Sequence, residues 1–228
     1  MNILLEALAW IFDPSSWTGS NGVGVRLAQH LAVTAVAIVI AAVPAIPLGV
    51  LVGHTRRGRG VVTALAGAVR AVPTLGLLTL LALLMGVGIG APVLALVALA
   101  VPSLLAGAYA GIEAADPIAV DAARSMGMSE WQIVRDVELP LGAGVLMGGV
   151  RAATLQVVAT ATLAAYTSDT GLGRYLFTGL KSRDYPQMLA GALLVAALAL
   201  LLDRLLAGLQ HRMTELAHRS ADDARRGA

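Results

Sequence analysis

The stretch IEAADPIAVDAARSMGMSEWQIVRDVELP, Ile112–Pro140, is the longest polar interval in an otherwise hydrophobic chain. The pair Asp116–Pro117 predicts the start of a helix, because aspartate caps free amides and proline fits the first helical turn. Gly127 predicts the end of this helix, since glycine readily adopts the left-handed conformation of a C-terminal cap. The segment Ser129–Gln132 matches a capping box, which predicts a second helix. The stretch therefore predicts two short helices joined by a glycine turn.

The composition of the two helices favours a docking surface over a solvated linker. The first helix carries small residues that allow close backbone approach, namely Ala119, Ala122 and Ala123. The second helix presents apolar residues on roughly one side, namely Trp131, Val134 and Val137. Pro140 is predicted to end the second helix and to open the next hydrophobic segment.

The rest of the chain has the composition of an integral membrane protein. Hydrophobic residues make up 57% of the 228 residues and charged residues only 13%, about half the charged share of soluble domains. The chain has no cysteine, which excludes disulfides, thiolate metal sites and catalytic cysteines. We identify no metal site and no catalytic residue, and the net charge of +2 gives no indication of nucleic-acid binding.

Charge-free runs predict an all-α membrane protein with five core spans, since one span needs about 20 apolar residues. The runs lie at Leu31–Gly53, on both sides of Gly86–Pro92 within Ala71–Ile112, from Pro140 to about Tyr166, and at Gln187–Leu206. Two prolines in the first run, Pro44 and Pro47, predict a kink near its end.

Arginine and lysine predict the orientation of these spans, because cytoplasmic loops are enriched in both residues. One side collects ten arginines and the other side only four basic residues. The richer side is predicted to be cytoplasmic. The N-terminus is then outside, and the 113–140 loop and the C-terminus are inside.

Three segments follow from these assignments. Residues 1–25 form a periplasmic or interfacial segment, where Trp10 and Trp17 accompany an apolar helical pattern; the absence of basic residues argues against a signal peptide. Residues 26–209 form the transmembrane domain. Residues 210–228 form a polar cytoplasmic tail that we expect to be partly disordered.

The spacing inside the polar interval resembles the coupling loop of permease subunits of type I bacterial ABC importers. That loop reads Glu-Ala-Ala, three residues, Gly, nine residues and an Ile-x-Leu-Pro-like end. Counting from Asp121–Ala123 gives three residues, then Gly127, then nine residues before Val137–Pro140, with Asp for Glu and Val for Ile. The upstream triplet Glu113–Ala115 has no glycine at this spacing, so we predict that it is not the motif.

The resemblance extends to Arg70–Leu78 and Leu155–Leu176, which are similar to the osmoprotectant branch of these importers. That branch imports glycine betaine, choline, carnitine, proline betaine and related solutes. The resemblance implies the type I permease fold in the bacterial plasma membrane. It implies that an ATPase docks on the loop through Asp121, Ala122, Ala123, Gly127, Trp131, Val137, Leu139 and Pro140.

The same resemblance implies the partners of the chain. They are a cytoplasmic ABC ATPase dimer, an extracytoplasmic solute-binding protein, and a second permease copy or a paralogous permease, within membrane lipid. ATP and magnesium belong to the ATPase, because this chain has no Gly-x-x-x-x-Gly-Lys-Ser/Thr loop. The chain is therefore predicted to be a transport subunit without a cofactor or enzymatic activity of its own.

Polar residues in the predicted spans are candidates for the solute path, because they are costly inside a bilayer. The candidates are Arg70, Pro73, Thr74, Tyr109, Arg151, Thr160, Thr162 and Tyr166. For any single residue we favour a role outside the path. A threonine then bonds its own helix backbone, and a tyrosine sits at the membrane interface. Snorkelling to the interface is open for Arg70, and pairing at a subunit interface is open for Arg151.

Three other functions remain open. They are a permease for methionine or another amino acid, a secondary transporter, and a membrane anchor for a cytoplasmic complex. A proton- or sodium-coupled carrier needs a carboxylate within a span. Asp203 lies near the inner end of the last predicted span and the earlier runs have none, which argues against a carrier. On the predicted outer side of the membrane, Arg174, Lys181 and Arg183 either contact a solute-binding protein or lie in a solvated loop.

Overall fold

A computed structural model of the protein describes residues 2–226, and within them the side chains of Thr63, Leu65, Ala66, Arg70 and residues 216–226 lie outside the described set. The described residues form helices and no strand, which confirms the all-α prediction. The α-helices are α1 (Ile3–Phe12), α2 (Val23–Thr55), α3 (Arg59–Ala71), α4 (Thr74–Met85), α5 (Gly90–Glu113), α6 (Pro117–Ser125), α7 (Glu130–Ile133), α8 (Leu139–Thr160), α9 (Ala164–Thr167), α10 (Gly173–Ser182) and α11 (Tyr185–Arg226).

Four helical segments among the described residues are long and apolar enough to cross a membrane. They are Val23–Thr55, Gly90–Glu113, Glu130–Thr167 and Tyr185–Glu215. A fifth candidate is the pair Arg59–Val69 and Thr74–Met85, which qualifies as a span only if the two helices are counted together. The 12 residues of α4 span about 18 Å, which is less than a bilayer core of about 30 Å.

Two expected helix ends differ in the structure. The chain stays helical through Pro140, because a π-helical segment, Val134–Glu138, joins α7 to α8. In its wider turn the Leu139 amide donates a hydrogen bond to the Val134 carbonyl. Pro140 follows directly and has no amide hydrogen that needs an acceptor. The sequence predicted a break at this point, and that prediction is wrong.

The last helix is also longer than expected. α11 continues past Leu206 into the segment that we expected to be a partly disordered tail. The side chain of Gln210 explains the first part of this extension, since its amide nitrogen donates to the Gly144 carbonyl at 3.1 Å. Thr214 also lies close to Gly144. The tail therefore begins as a packed helix.

Two compact units divide the chain. Unit 1 comprises residues up to Ile40, Val72–Ala100 and Thr154–Leu202. Its main core cluster contains Val23, Val158, Leu172, Tyr175, Val195 and Leu198. Helix α1 adds Trp10, whose ring meets Tyr175 edge to face at 5.0 Å, while Phe12 is exposed. The helix that the sequence predicted at the N-terminus is present.

Unit 2 comprises Ala41–Ala71, Val101–Ala153 and the residues from Asp203 onward. Its helices approach each other at glycines. Gly107 and Gly111 of α5 lie directly against Gly149 and Gly142 of α8. Small residues permit such contacts between apolar helices, whose association depends on close packing.

Candidate functional site

The first helix of the polar interval begins as its sequence predicts. The Asp116 carboxylate accepts a hydrogen bond from the Ile118 amide at 2.9 Å, and Pro117 is the first residue of α6. These two features satisfy a free amide and set the helical backbone angle at the start. Both predictions are confirmed.

Gly127 forms the turn that follows α6. Its φ is 86°, in the left-handed region. Its amide donates to the Arg124 carbonyl at 3.0 Å, and the Met128 amide donates to the Ala123 carbonyl at 3.2 Å. This pair of bonds is the Schellman motif, which satisfies the last carbonyls of a helix. The predicted glycine turn is therefore confirmed.

A complete capping box begins the second helix. The Ser129 hydroxyl accepts from the Gln132 amide at 3.4 Å, and the Gln132 side-chain oxygen accepts from the Ser129 amide at 2.8 Å. Two amides at the start of α7 are thereby satisfied. The two caps and the turn define the loop between α5 and α8, Ala114–Glu138, which we call the coupling loop after the element that its spacing resembles.

The apolar face that we predicted on the second helix is only partly exposed. Trp131 is 70% exposed, but Val134 is 6% exposed and packs inside unit 2 beside the fully buried Ile133. Val134 lines an apolar groove beside Trp131, but it exposes too little surface to belong to an exposed docking face. Val137 is half-buried, and the inclusion of Val134 in a docking face was wrong.

The other predicted docking residues are distributed over the surface and the interior. Ala123 is buried and Leu139 is half-buried, so these two support the loop from within. The exposed members are Asp121, Ala122, Gly127, Trp131 and Pro140. Sequence reasoning missed two exposed apolar side chains, Ile118 and Met126, although a large apolar residue in a polar helical segment was a visible signal.

A network of charges holds the two helices of the loop together. The Arg124 guanidinium donates to both oxygens of Glu130 at 2.9 Å and to Asp121 at 3.2 Å. The neighbouring Glu130 carboxylate raises the pKa of Arg124 above its ordinary value. Asp121, the acid of the Asp121–Ala123 triplet, thus forms an ion pair within α6.

Helix α2 contributes a histidine to this network, which sequence reasoning missed. His54 lies with Nδ1 2.8 Å from Glu138 and Nε2 3.2 Å from Glu130. An apolar groove of about 500 Å³ adjoins these residues within unit 2. The groove is lined by Ile46, Pro47, Val50, Leu51, Trp131 and Leu139.

Two predicted path residues, Thr74 and Thr160, come together in unit 1. They line a cavity of about 10 Å³, which is too small for more than about one water molecule. The Thr160 hydroxyl donates to the Gln156 carbonyl at 2.8 Å, and Thr162 donates to the Ala159 carbonyl at 2.9 Å. Thr160 and Thr162 therefore each bond a carbonyl of their own helical segment, as the backbone alternative expects.

The remaining path candidates occupy different settings. In unit 1, Pro73 caps α4, and Tyr166 is exposed with its ring 5.8 Å from Phe177. In unit 2, the guanidinium of Arg59 lies 5.8 Å from the ring centre of Tyr109. The side chain of Arg70 lies outside the described residues.

Arg151 forms an ion pair inside unit 2. Its guanidinium donates to both oxygens of Asp203, at 2.7 and 2.9 Å, and weakly to Gln210 at 3.4 Å. The carboxylate of the last candidate span is therefore already neutralised. Such a paired carboxylate is a poor candidate for the proton or ion site of a coupled carrier.

A second charge network, also missed from the sequence, organises the loop before α10 in unit 1. Arg26 is 3% exposed; its guanidinium donates to the Asp169 carboxylate at 3.1 Å and to Asn21 at 2.7 Å. Arg174 binds the same carboxylate at 2.8 Å. The Tyr175 hydroxyl donates to the Asn21 carbonyl at 2.7 Å, and burial raises the pKa of this phenol.

A family model described as "Binding-protein-dependent transport system inner membrane component" matches residues 45–215 of the chain. This range includes the coupling loop, the glycine contacts of unit 2 and the Arg151–Asp203 pair.

Named relatives match most of the chain. The glycine betaine/carnitine/choline transport system permease protein OpuCB of Bacillus subtilis is 31% identical over 83% of this chain and 87% of its own length. The carnitine transport permease protein OpuCB of Listeria monocytogenes is 32% identical, covering 85% and 88%. The osmoprotectant import permease protein OsmW of Salmonella typhimurium is 30% identical, covering 82% and 89%.

Solved structures show the same fold. A chain of the MetNI methionine ABC transporter in an inward-facing conformation superposes with a TM-score of 0.72 at 23% identity, covering 82% of this chain and 93% of that one. A chain of an amino acid ABC transporter superposes with a TM-score of 0.64 at 20% identity, covering 82% and 92%.

Proposed function

Because the chain belongs to the family of binding-protein-dependent transport system inner membrane components, we propose that it is the permease subunit of an ATP-driven importer for quaternary-amine osmoprotectants. The observation that carries the proposal is the agreement of its relatives. At 30% to 32% identity over 82% to 85% of the chain, they are named permeases for glycine betaine, carnitine, choline or osmoprotectants. The two solved neighbours fall below 25% identity and support the fold alone.

The proposal includes a topology. The pair of α3 and α4 counts as one broken span, which gives five spans with the N-terminus outside and the C-terminus in the cytoplasm of the bacterial cell. The coupling loop, with its arginines, then faces the cytoplasm, in agreement with the enrichment of basic residues there. The Arg26–Asp169 network lies on the outer side, where a solute-binding protein delivers the solute.

The coupling loop is where the ATPase docks in this proposal. Its exposed apolar side chains, Ile118, Met126 and Trp131, suit insertion into a partner surface, since methionine and aromatic residues are enriched at interfaces and tryptophan often carries much of the binding energy. The caps, the Schellman turn and the Arg124 ion pairs make the loop stiff. A stiff loop transmits the approach of two ATPases as rocking of the spans, which opens the path alternately to each side.

The chemistry of ATP hydrolysis belongs to the partner. ATP and magnesium bind the ATPase chains, and this chain contributes the path and the docking element. Two permeases, either two copies of this chain or this chain with a paralogue, enclose the path between them. The low aromatic content of 4% suits a weak transit site, because tight binding of a methylated ammonium requires several aromatic faces.

Uptake into proteoliposomes tests the proposed solute class. Vesicles that contain the permease, its ATPase and its binding protein are expected to accumulate labelled glycine betaine, choline or carnitine when ATP is present. The same vesicles with ADP serve as the control. Accumulation of methionine alone would show that the osmoprotectant assignment is wrong, and uptake driven by an ion gradient without ATP would exclude an ATP-driven importer.

The Gly127→Val variant tests docking at the coupling loop. A left-handed backbone costs an ordinary L-residue about 1–2 kcal/mol, and a β-branched residue more, so the Schellman turn is expected to rearrange. We expect co-purification of the ATPase and solute uptake to fall about tenfold or more. Gly127→Asn is the matched control, because asparagine tolerates this conformation and no atom lies within 4 Å of the added Cβ. Equal docking by both variants would contradict the assignment.

A further inference from the structure

The apolar groove of unit 2 lies along the end of a candidate membrane span. Its volume is about 500 Å³, and α2 contributes four apolar lining residues, Ile46, Pro47, Val50 and Leu51. All four belong to the charge-free run Leu31–Gly53 of a helix that is long enough to cross a bilayer, so they lie at the depth of lipid acyl chains. Helix α7 adds Trp131 to the lining. The groove therefore has both the chemistry and the depth of a site for an acyl chain.

A polar cavity of about 280 Å³ adjoins the groove at His54, which lines both. Its lining also includes Thr55, Arg56, Asp121 and Glu138. Thr55 ends α2, and Arg56 follows within about 5 Å of the end of the charge-free run, at about 1.5 Å per residue. The headgroup layer on each side of a bilayer is about 5–8 Å thick. The cavity therefore lies at the depth of lipid headgroups.

Arg56 is the cation of this cavity that is free to bind a ligand. Arg124 also lines the cavity, but it already binds Glu130 and Asp121. Within the described part of the chain no ion pair engages Arg56, and its side chain is exposed. Its φ of 54° is in the left-handed region that glycine usually occupies after a helix, and such strain points to a role for the side chain. A free guanidinium is a good ligand for phosphate.

Two carboxylates in the same cavity favour a headgroup that also carries a positive donor. The Glu138 side chain is 7% exposed. Asp121 accepts from Arg124 at Oδ1, but its side chain is 77% exposed and can accept further hydrogen bonds. These groups disfavour a headgroup of net negative charge, because like charges repel. A primary ammonium offers three N–H donors to a carboxylate, whereas a trimethylammonium has no N–H group. The cavity therefore suits a phosphate and a primary ammonium together.

We propose that the groove and the cavity form one site for a phospholipid whose headgroup carries a phosphate and a primary ammonium, as that of phosphatidylethanolamine does. Its phosphate accepts hydrogen bonds from Arg56, and its ammonium donates to Asp121. One acyl chain lies in the groove along Val50 and Trp131. The lipid thereby fills a groove that the protein leaves open between α2 and the coupling loop. The site requires neither a docked ATPase nor a transported solute.

Native mass spectrometry of the full-length permease tests the headgroup. The protein is released from micelles that contain equal amounts of phosphatidylethanolamine, phosphatidylcholine and phosphatidylglycerol. Wild type is expected to retain the ethanolamine lipid in preference to the other two. Arg56→Gln is expected to lower this retention about tenfold, because it removes a charge-assisted hydrogen bond to the phosphate. Arg57→Gln is the matched control, since Arg57 is not among the described residues that line the cavity.

The fluorescence of Trp131 tests the position of the acyl chain. The substitutions Trp10→Phe and Trp17→Phe leave Trp131 as the single tryptophan. Phosphatidylethanolamine with brominated acyl chains is expected to quench this tryptophan more strongly than brominated phosphatidylcholine at the same fraction of membrane lipid. Arg56→Gln is expected to remove the difference. The permease is measured without its ATPase, so that docking does not cover Trp131.

Three results would overturn the proposal. They are equal retention of the three lipids by wild type, equal retention of the ethanolamine lipid by Arg56→Gln and Arg57→Gln, and equal quenching by the two brominated lipids. A permease observed as a dimer without lipid would assign the groove to a second copy instead. If Arg56→Gln does not fold, Arg56→Gly takes its place, because glycine suits the left-handed backbone and also lacks the charge. Failure in these experiments would leave the proposed transport function standing, since neither measurement involves solute or ATP.

Discussion

Gly142→Ala is expected to lower the yield and stability of the folded protein severely, although it adds a single methyl group. A Cβ at this position would overlap the backbone carbonyl oxygen of Gly111. A backbone atom cannot rotate away as a side chain can, so α5 and α8 must separate. Overpacking costs about 1–3 kcal/mol, occasionally more, and we expect the upper end or beyond. The midpoint of thermal unfolding in detergent measures the effect.

Gly208→Ala is the matched control for this prediction. No atom lies within 4 Å of a Cβ at Gly208, which is exposed within α11. Alanine is favoured over glycine in helix interiors by about 1 kcal/mol, so this variant is expected to be neutral or slightly stabilised. If the two variants unfold at the same temperature, the close packing of α5 on α8 within unit 2 is wrong.

The coupling loop could be predicted from the sequence because its structure is local. The Asp116 cap, the Gly127 turn and the Ser129–Gln132 capping box all depend on contacts between residues at most five positions apart. Such contacts follow from the residue types and their order. Distance to Gly127 was also the basis for predicting the motif at Asp121 rather than at the upstream triplet. The local part of the candidate site was therefore accessible.

Contacts between distant residues were not accessible. His54 and Glu138 are 84 positions apart, and Arg26 and Asp169 are 143 apart. No spacing rule connects residues across separate spans, so both networks were missed. The buried side of Val134 was misjudged for a related reason, since it depends on the helix that covers it. The continuation of the helix through Pro140 depends on a π-helical segment that no residue pattern predicted.

The glycine contacts fall between these two cases. Gly107 and Gly111 have the small-xxx-small spacing of packed membrane helices, and Gly49 and Gly53 have it too. The pattern was visible, but it does not name the helix that packs against it. Only the structure shows that α8 meets the first pair and that α5 meets the second. Periodicity predicts a face, and the partner of that face is set by the tertiary fold.

Asp203→Asn is expected to destabilise the protein more than Asp136→Asn does, because it leaves the partly buried Arg151 guanidinium without its counter-charge. The Arg151 and Asp203 side chains are only 34% and 23% exposed, and two hydrogen bonds join them. Asp136→Asn is the control: its partner Arg135 is 3.6 Å away and both side chains are largely exposed, so we expect a loss below about 1 kcal/mol. Unfolding in mixed micelles measures both.

The double variant Arg151→Met with Asp203→Leu separates the structural role of this pair from a role in the solute path. Replacing both members of an ion pair that is shielded from water by apolar residues is often neutral, so we expect the double variant to unfold at about the wild-type temperature. If this stable variant also imports solute at the wild-type rate, Arg151 serves only to hold α8 to α11, and its assignment to the path is wrong. A stable double variant that binds the ATPase but imports nothing would place Arg151 in the path, because neither folding nor docking would then explain the loss.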